Sequence, residues 1–105
     1  MRILNVTAQK PHSTGSGVYL TETVRAFVAL GHTVAVVAGV RTDDAVHFPE
    51  GTAFYPVYYQ SAALPFPVCG MSDEMPYEST VYRAMDGEMV GCFECAFADA
   101  LRAAV

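Results

Sequence analysis

The sequence predicts an α/β fold in three layers: a parallel sheet of about three strands, in the order 3-2-1, with two main helices. Three observations predict it. Apolar runs at residues 3–6 (ILNV) and 33–38 (TVAVVA) bracket a stretch of helical spacing, which together make one βαβ unit. A third run, 52–58 (TAFYPVY), has the composition of a strand. From Asp86 onward an apolar stripe recurs at helical spacing to the last residue.

The first run, without clean alternation, is expected to be a central strand covered on both faces. Pro11 and the cluster STGSG at residues 13–17 end it. Helical spacing begins near Val18, with Leu20, Val24, Phe27, Val28 and Gly31 on one face and Glu22, Arg25 and Ala29 on the other. Ser16 is the expected N-cap, and Gly31 the left-handed residue that stops the helix. The second run is β-branched and apolar, as a buried parallel strand requires. Residues 40–50 read as a polar loop. In the third run Pro56 cannot donate a ladder hydrogen bond, so the strand is expected at a sheet edge. Residues 59–79 hold four breakers and no sustained period, a length that is usually functional or partly disordered, or packs on another domain. In the last helix Met89, Phe93, Ala96, Phe97, Ala100, Leu101 and Ala104 form the stripe.

Composition narrows the function. The chain has 105 residues, one domain's worth, is 52% hydrophobic and carries a net charge of −5 with only six Lys and Arg. No basic run is present, so nucleic acid is not an expected partner. No apolar run approaches the roughly 20 residues of a membrane span. Gln9, Lys10 and His12 interrupt the N-terminal apolar run too early for a signal peptide. Three cysteines, an odd number, fit free thiols in a reducing cytoplasm.

The N-terminal stretch MRILNVTAQKPHSTGSGVYLTETVRAFVALGHTVAVVAG resembles the opening of family 4 (GT-B) glycosyltransferases, with Gly15, Gly17, Gly31, His32 and 34–37 in matching order. The run PFPVCGMSDEMPYEST at 65–80 also resembles a segment of some members. The resemblance implies a partial Rossmann-like domain from the N-terminal, acceptor-side half of an enzyme moving a sugar from a nucleotide-sugar donor to an acceptor hydroxyl. Such enzymes are several times longer and carry a second domain. The expectation is a single truncated domain, 1–105, inactive alone, with no cofactor and no catalytic residue of its own; the family's histidine and diphosphate-binding groups would lie beyond Val105.

The candidate binding site is the turn at the carboxyl end of the first strand: Ser13, Thr14, Gly15, Ser16 and Gly17, with Lys10 and His12 beside it. Loop amides and a helix N-terminus converge there, and glycines let a ligand approach the main chain. From the motif alone an ordinary βα turn is the better reading; the resemblance reverses that preference. His32, after the helix-ending glycine, is expected to face the last helical carbonyls in a structural role. Cys92-x-x-Cys95 falls within a helix with Cys95 on its polar face, unlike a redox or zinc site, and no metal site is expected. Asp73, Glu74 and Glu78 read as a solvated loop face, and Phe54, Tyr55, Tyr58 and Tyr59 as edge-strand packing.

Two other classes stay open: a stand-alone nucleotide- or phosphate-binding module, and an assembly domain. The first strand's outer edge and the last helix's stripe point to a homodimer, formed across that edge or by exchange of the C-terminal helix.

Overall fold

The computed structural model describes residues 1–12, 15–69 and 75–105. Three parallel strands, β1 (Arg2–Thr7), β2 (Thr33–Arg41) and β3 (Thr52–Tyr59), form one sheet in the order β1-β2-β3. Helix α1 (Gly15–Ala29) connects β1 to β2, and α2 (Gly87–Ala104) closes the chain. The result is a mixed α/β, partial Rossmann-like fold in the expected strand order.

The central strand divides the core. Val34, Val36 and Ala38 on one face of β2 pack under α1 through Val24, with Leu20, Phe27 and Val28 around them. Val37, on the opposite face, joins Val57, Tyr59, Leu64, Val68 and Phe97 beneath α2. Burying each of the larger aliphatic side chains is worth about 1.5–3 kcal/mol. That is why the TVAVVA run, apolar on both faces, takes the middle of the sheet.

The helix ends follow local chemistry. Gly31 has φ +85, its N–H donates to the Val28 carbonyl, and the His32 N–H donates to Phe27. This pair of bonds is a Schellman motif, and the His32 ring lies 6.2 Å from that of Phe27. His32 is therefore structural as expected, although its backbone, not its imidazole, caps the carbonyls. At the other helix, Asp86 accepts from the Met89 N–H at 2.9 Å as N-cap.

Three expectations need correction. Ser16 is not the N-cap of α1: the helix begins at Gly15 and takes Ser16 into its first turn. β1 is not covered on both faces. Its burial alternates, and Leu4 and Val6 remain 38% and 50% exposed, because α2 packs over β2 and β3 and leaves that face of β1 open. The 59–79 stretch is not loose where it is described. Leu64 and Val68 are buried in the cluster with Val37, Val57 and Tyr59, Cys69 is buried as well, and Val68 bridges Thr80 in parallel.

Pro56 falls on the edge strand, as its missing donor requires. It sits in register with Ala38. Thr33 donates to the Met1 carbonyl, so odd-numbered residues of β2 bond toward β1 and even-numbered ones toward β3. The residue of β3 in register with an even one points outward, which is where a proline costs nothing.

Candidate functional site

The carboxyl ends of β1 and β2 meet the start of α1, and the residues of interest collect there. Ser13 and Thr14 lie outside the described residues, as do Asp73 and Glu74; Lys10, His12, Gly15, Ser16 and Gly17 are described. The two glycines serve different ends. A Cβ on Gly17 would stand 2.8 Å from the His12 amide nitrogen and 3.0 Å from the Lys10 carbonyl. Gly17 thus lets the 10–12 segment lie directly on the helix. Among the described residues a Cβ on Gly15 would meet nothing within 4 Å. The space beside Gly15 is clear among these residues, while that beside Gly17 is filled by the chain itself.

His12 has φ +66, in the left-handed region that non-glycine residues seldom adopt. Thr21, buried on the first turns of α1, holds it. The Thr21 hydroxyl lies 3.1 Å from the Gly17 carbonyl and 2.8 Å from His12 Nδ1. A hydroxyl has one hydrogen, so the His12 tautomer sets whether it goes to the carbonyl or to the ring. In both cases Thr21 fixes the ring through Nδ1. The His12 ring also stands 5.7 Å from Phe48, which steadies its plane.

Lys10 is engaged on three sides. Its ammonium meets Asp44 at 2.8 Å and lies 5.5 Å from the Tyr77 ring centre, while its backbone N–H donates to the Tyr77 hydroxyl at 3.2 Å. Asp44 also accepts from the Arg41 N–H at 2.8 Å. Burial pushes the Asp44 carboxyl up, but the Lys10 and Arg41 hydrogen bonds and the two cations outweigh it and hold the group below its usual range. Lys10 is thus a tethered cation at the rim of the turn.

Beneath these residues Tyr59 ties the sheet together. Its hydroxyl donates to the Ala8 carbonyl just past β1, and the ring crosses Gly39, where any Cβ would collide with it. Burial, reinforced by Tyr77, Tyr82 and Cys69, raises the phenol far above its ordinary value.

The remaining candidates stay apart from this cluster. Cys92 is half-buried against the core, Cys95 is exposed, and all three cysteines are free. Among the described residues no group of three or more His, Cys, Asp or Glu side chains could hold a metal ion. No described helix is long and apolar enough to cross a membrane. A groove of about 290 Å³, lined by Leu4, Ala35, Tyr55 and Ala104, lies at the opposite end of the sheet and is mainly apolar. Its lining offers no polar constellation comparable with the turn, so volume and chemistry part company here.

Sequence reasoning found Lys10, His12 and the glycines. It missed Thr21, Asp44, Tyr59 and Tyr77. A threonine facing the core on an otherwise apolar helix stripe was the one signal that could have flagged Thr21.

No family model matches the chain, and no curated protein or solved structure matches it.

Proposed function

We propose that the chain is the acceptor-side, Rossmann-like portion of a glycosyltransferase, using its β1–α1 turn to meet a nucleotide sugar or its acceptor. The observation that carries this reading is the convergence at one strand end of the α1 N-terminus, Gly15 with no described residue beside its Cβ position, the tethered Lys10 and the His12 ring. Helix-start amides suit phosphate oxygens, Lys10 adds positive charge at the rim, and the His12 ring suits a hydrogen bond with a hydroxyl. Catalysis in such an enzyme is chiefly positioning and stabilisation of the departing diphosphate. On this reading the turn residues bind and position the ligand. The free cysteines support a reducing, cytoplasmic setting.

Calorimetric titration with UDP-, GDP- and ADP-linked hexoses tests the reading, using the wild type and Gly15→Val. That variant meets no described residue at Gly15, its circular dichroism checks that the fold is kept, and it places a side chain where the ligand must approach. Binding by the wild type and its loss in the variant are expected. Unchanged affinity in the variant removes the turn from the reading. Equal binding of free diphosphate would favour a stand-alone phosphate-binding module instead. A second reading, an assembly domain that works as a homodimer, is favoured by the exposure of Leu4 and Val6 on β1.

A further inference from the structure

We infer that Asp44 is a built-in competitor for the ligand's negative charge: it occupies the Lys10 ammonium in the free protein, and an anionic diphosphate group at the β1–α1 turn takes its place. This inference deepens the turn reading and rests on it. Lys10 is the single lysine of a chain whose net charge is −5. An anion drawn to this end of the sheet therefore depends on local cations, because the field of the whole chain opposes it.

The Lys10–Asp44 contact differs from the other ion pairs among the described residues. Its side chains keep only 23% and 16% of their exposure, whereas those of Arg41–Asp43, Arg25–Glu22 and Arg102–Asp99 keep 46% or more. Partial burial makes such a pair stronger and less screened by salt. The carboxylate is also anchored from its other side. Asp44 Oδ1 meets Lys10 Nζ at 2.8 Å, while Oδ2 accepts from the Arg41 N–H at 2.8 Å. An ammonium and a main-chain amide are the donors that phosphate oxygens take in proteins, so Asp44 fills the same demand with a carboxylate. The Lys10 main chain, in turn, is fixed. Its N–H donates to the Tyr77 hydroxyl at 3.2 Å, and its carbonyl lies 3.0 Å from the Cβ position of Gly17 in the first turn of α1. Beyond that fixed backbone the four-carbon stem lets the ammonium change partner.

The pair therefore acts in opposite senses on folding and on binding. In the free protein Asp44 neutralises the ammonium and holds it 5.5 Å from the Tyr77 ring centre. A diphosphate at the turn must break that contact, which offsets part of its own attraction to Lys10. After the exchange Asp44 keeps the Arg41 N–H, so the β2–β3 connection stays in place. Removing the Asp44 charge should weaken the fold and yet strengthen the hold on an anion. A carboxylate that merely braced its loop would do only the first.

Calorimetric titration of the 105-residue chain with inorganic pyrophosphate and, separately, with UDP-glucose tests this. Asp44→Asn should bind roughly tenfold tighter than wild type, the competition of one charge-assisted hydrogen bond. Asp43→Asn removes the same charge one residue away, from the exposed pair with Arg41, and should change affinity by about twofold at most. The double variant Lys10→Met/Asp44→Asn should lose the gain. A gain with either probe supports the inference, and the probe that shows it tells whether the diphosphate is taken free or on a nucleotide sugar. A second measurement needs no substitution: after reductive methylation with carbon-13 formaldehyde, the signal of the one lysine should move on addition of pyrophosphate. Equal affinity in wild type and Asp44→Asn, an equal gain in Asp43→Asn, a gain that survives the loss of Lys10, or an unmoved lysine signal at saturation overturns the inference and leaves the turn reading standing. Absence of binding by both wild type and Asp44→Asn overturns the two together.

Discussion

Tyr59 lies across Gly39. The ring from the end of β3 occupies the space that a side chain at Gly39 would take on β2, and its hydroxyl reaches the Ala8 carbonyl beyond β1. One phenol thereby spans all three strands at the end of the sheet where the candidate site sits.

Removing the hydroxyl with Tyr59→Phe leaves a part-buried carbonyl short of a donor and should cost about 1–3 kcal/mol. Gly39→Ala should cost a similar or larger amount, since the ring must move. The two changes touch one contact, so Gly39→Ala combined with Tyr59→Leu should cost less than the sum of the single variants. Urea unfolding of these proteins checks this; full additivity would mean that Tyr59 and Gly39 do not share the space.

The turn glycines should separate under substitution. Gly17→Ala pushes a methyl group into the backbone of Lys10 and His12, and is expected to destabilise by roughly 1–3 kcal/mol. Gly15→Ala meets no described residue within 4 Å and gains helix propensity, so it should be neutral or stabilising by up to about 1 kcal/mol. Thermal melts of both variants decide the matter, and equal losses would contradict the packing described for the 10–12 segment.

Acid should probe the Lys10–Asp44 pair. The folded Asp44 carboxyl is held below its ordinary value of 3.8, so the unfolded chain takes up the proton first as pH falls. The stabilisation is present above that value and disappears as pH drops through the lower folded one. Asp44→Asn should therefore be less stable than wild type at neutral pH and converge with it as pH falls through the folded Asp44 value. A constant difference across that range would show that the pair does not titrate as described.

Alkali probes Tyr59 in the opposite sense. Its folded value lies above the ordinary 10.0, so its contribution is whole below pH 10 and declines as pH rises beyond it. Tyr59→Phe should flatten that alkaline decline, as followed by denaturant midpoints between neutral pH and the alkaline limb. An unaltered slope would assign the decline to other phenols.

The legible parts of this molecule are those written locally. The βαβ unit shows in the apolar runs flanking a helical period, the stop of α1 in Gly31, and the second helix in the stripe from Met89 to Ala104. Pro56 announced the edge strand because its missing donor has few places to go. What stayed hidden depends on residues far apart in the chain. Thr21 meets His12, Lys10 meets Asp44 and Tyr77, and Tyr59 meets Gly39 and Ala8 only once the sheet has assembled. Leu64 and Val68 were unreadable for another reason: an irregular segment can bury side chains without any period to betray it. The open face of β1 was missed because apolar content alone does not say which neighbour arrives to cover it.

Whether the β1–α1 turn is where this protein meets its ligand is decided by mapping backbone amide shifts during titration with a nucleotide sugar. Shift changes should concentrate at Gly15, Ser16 and Gly17, with the His12 ring nitrogens responding alongside. Changes confined to Leu4, Tyr55 and Ala104 around the opposite groove, or none at saturating ligand, would contradict that placement.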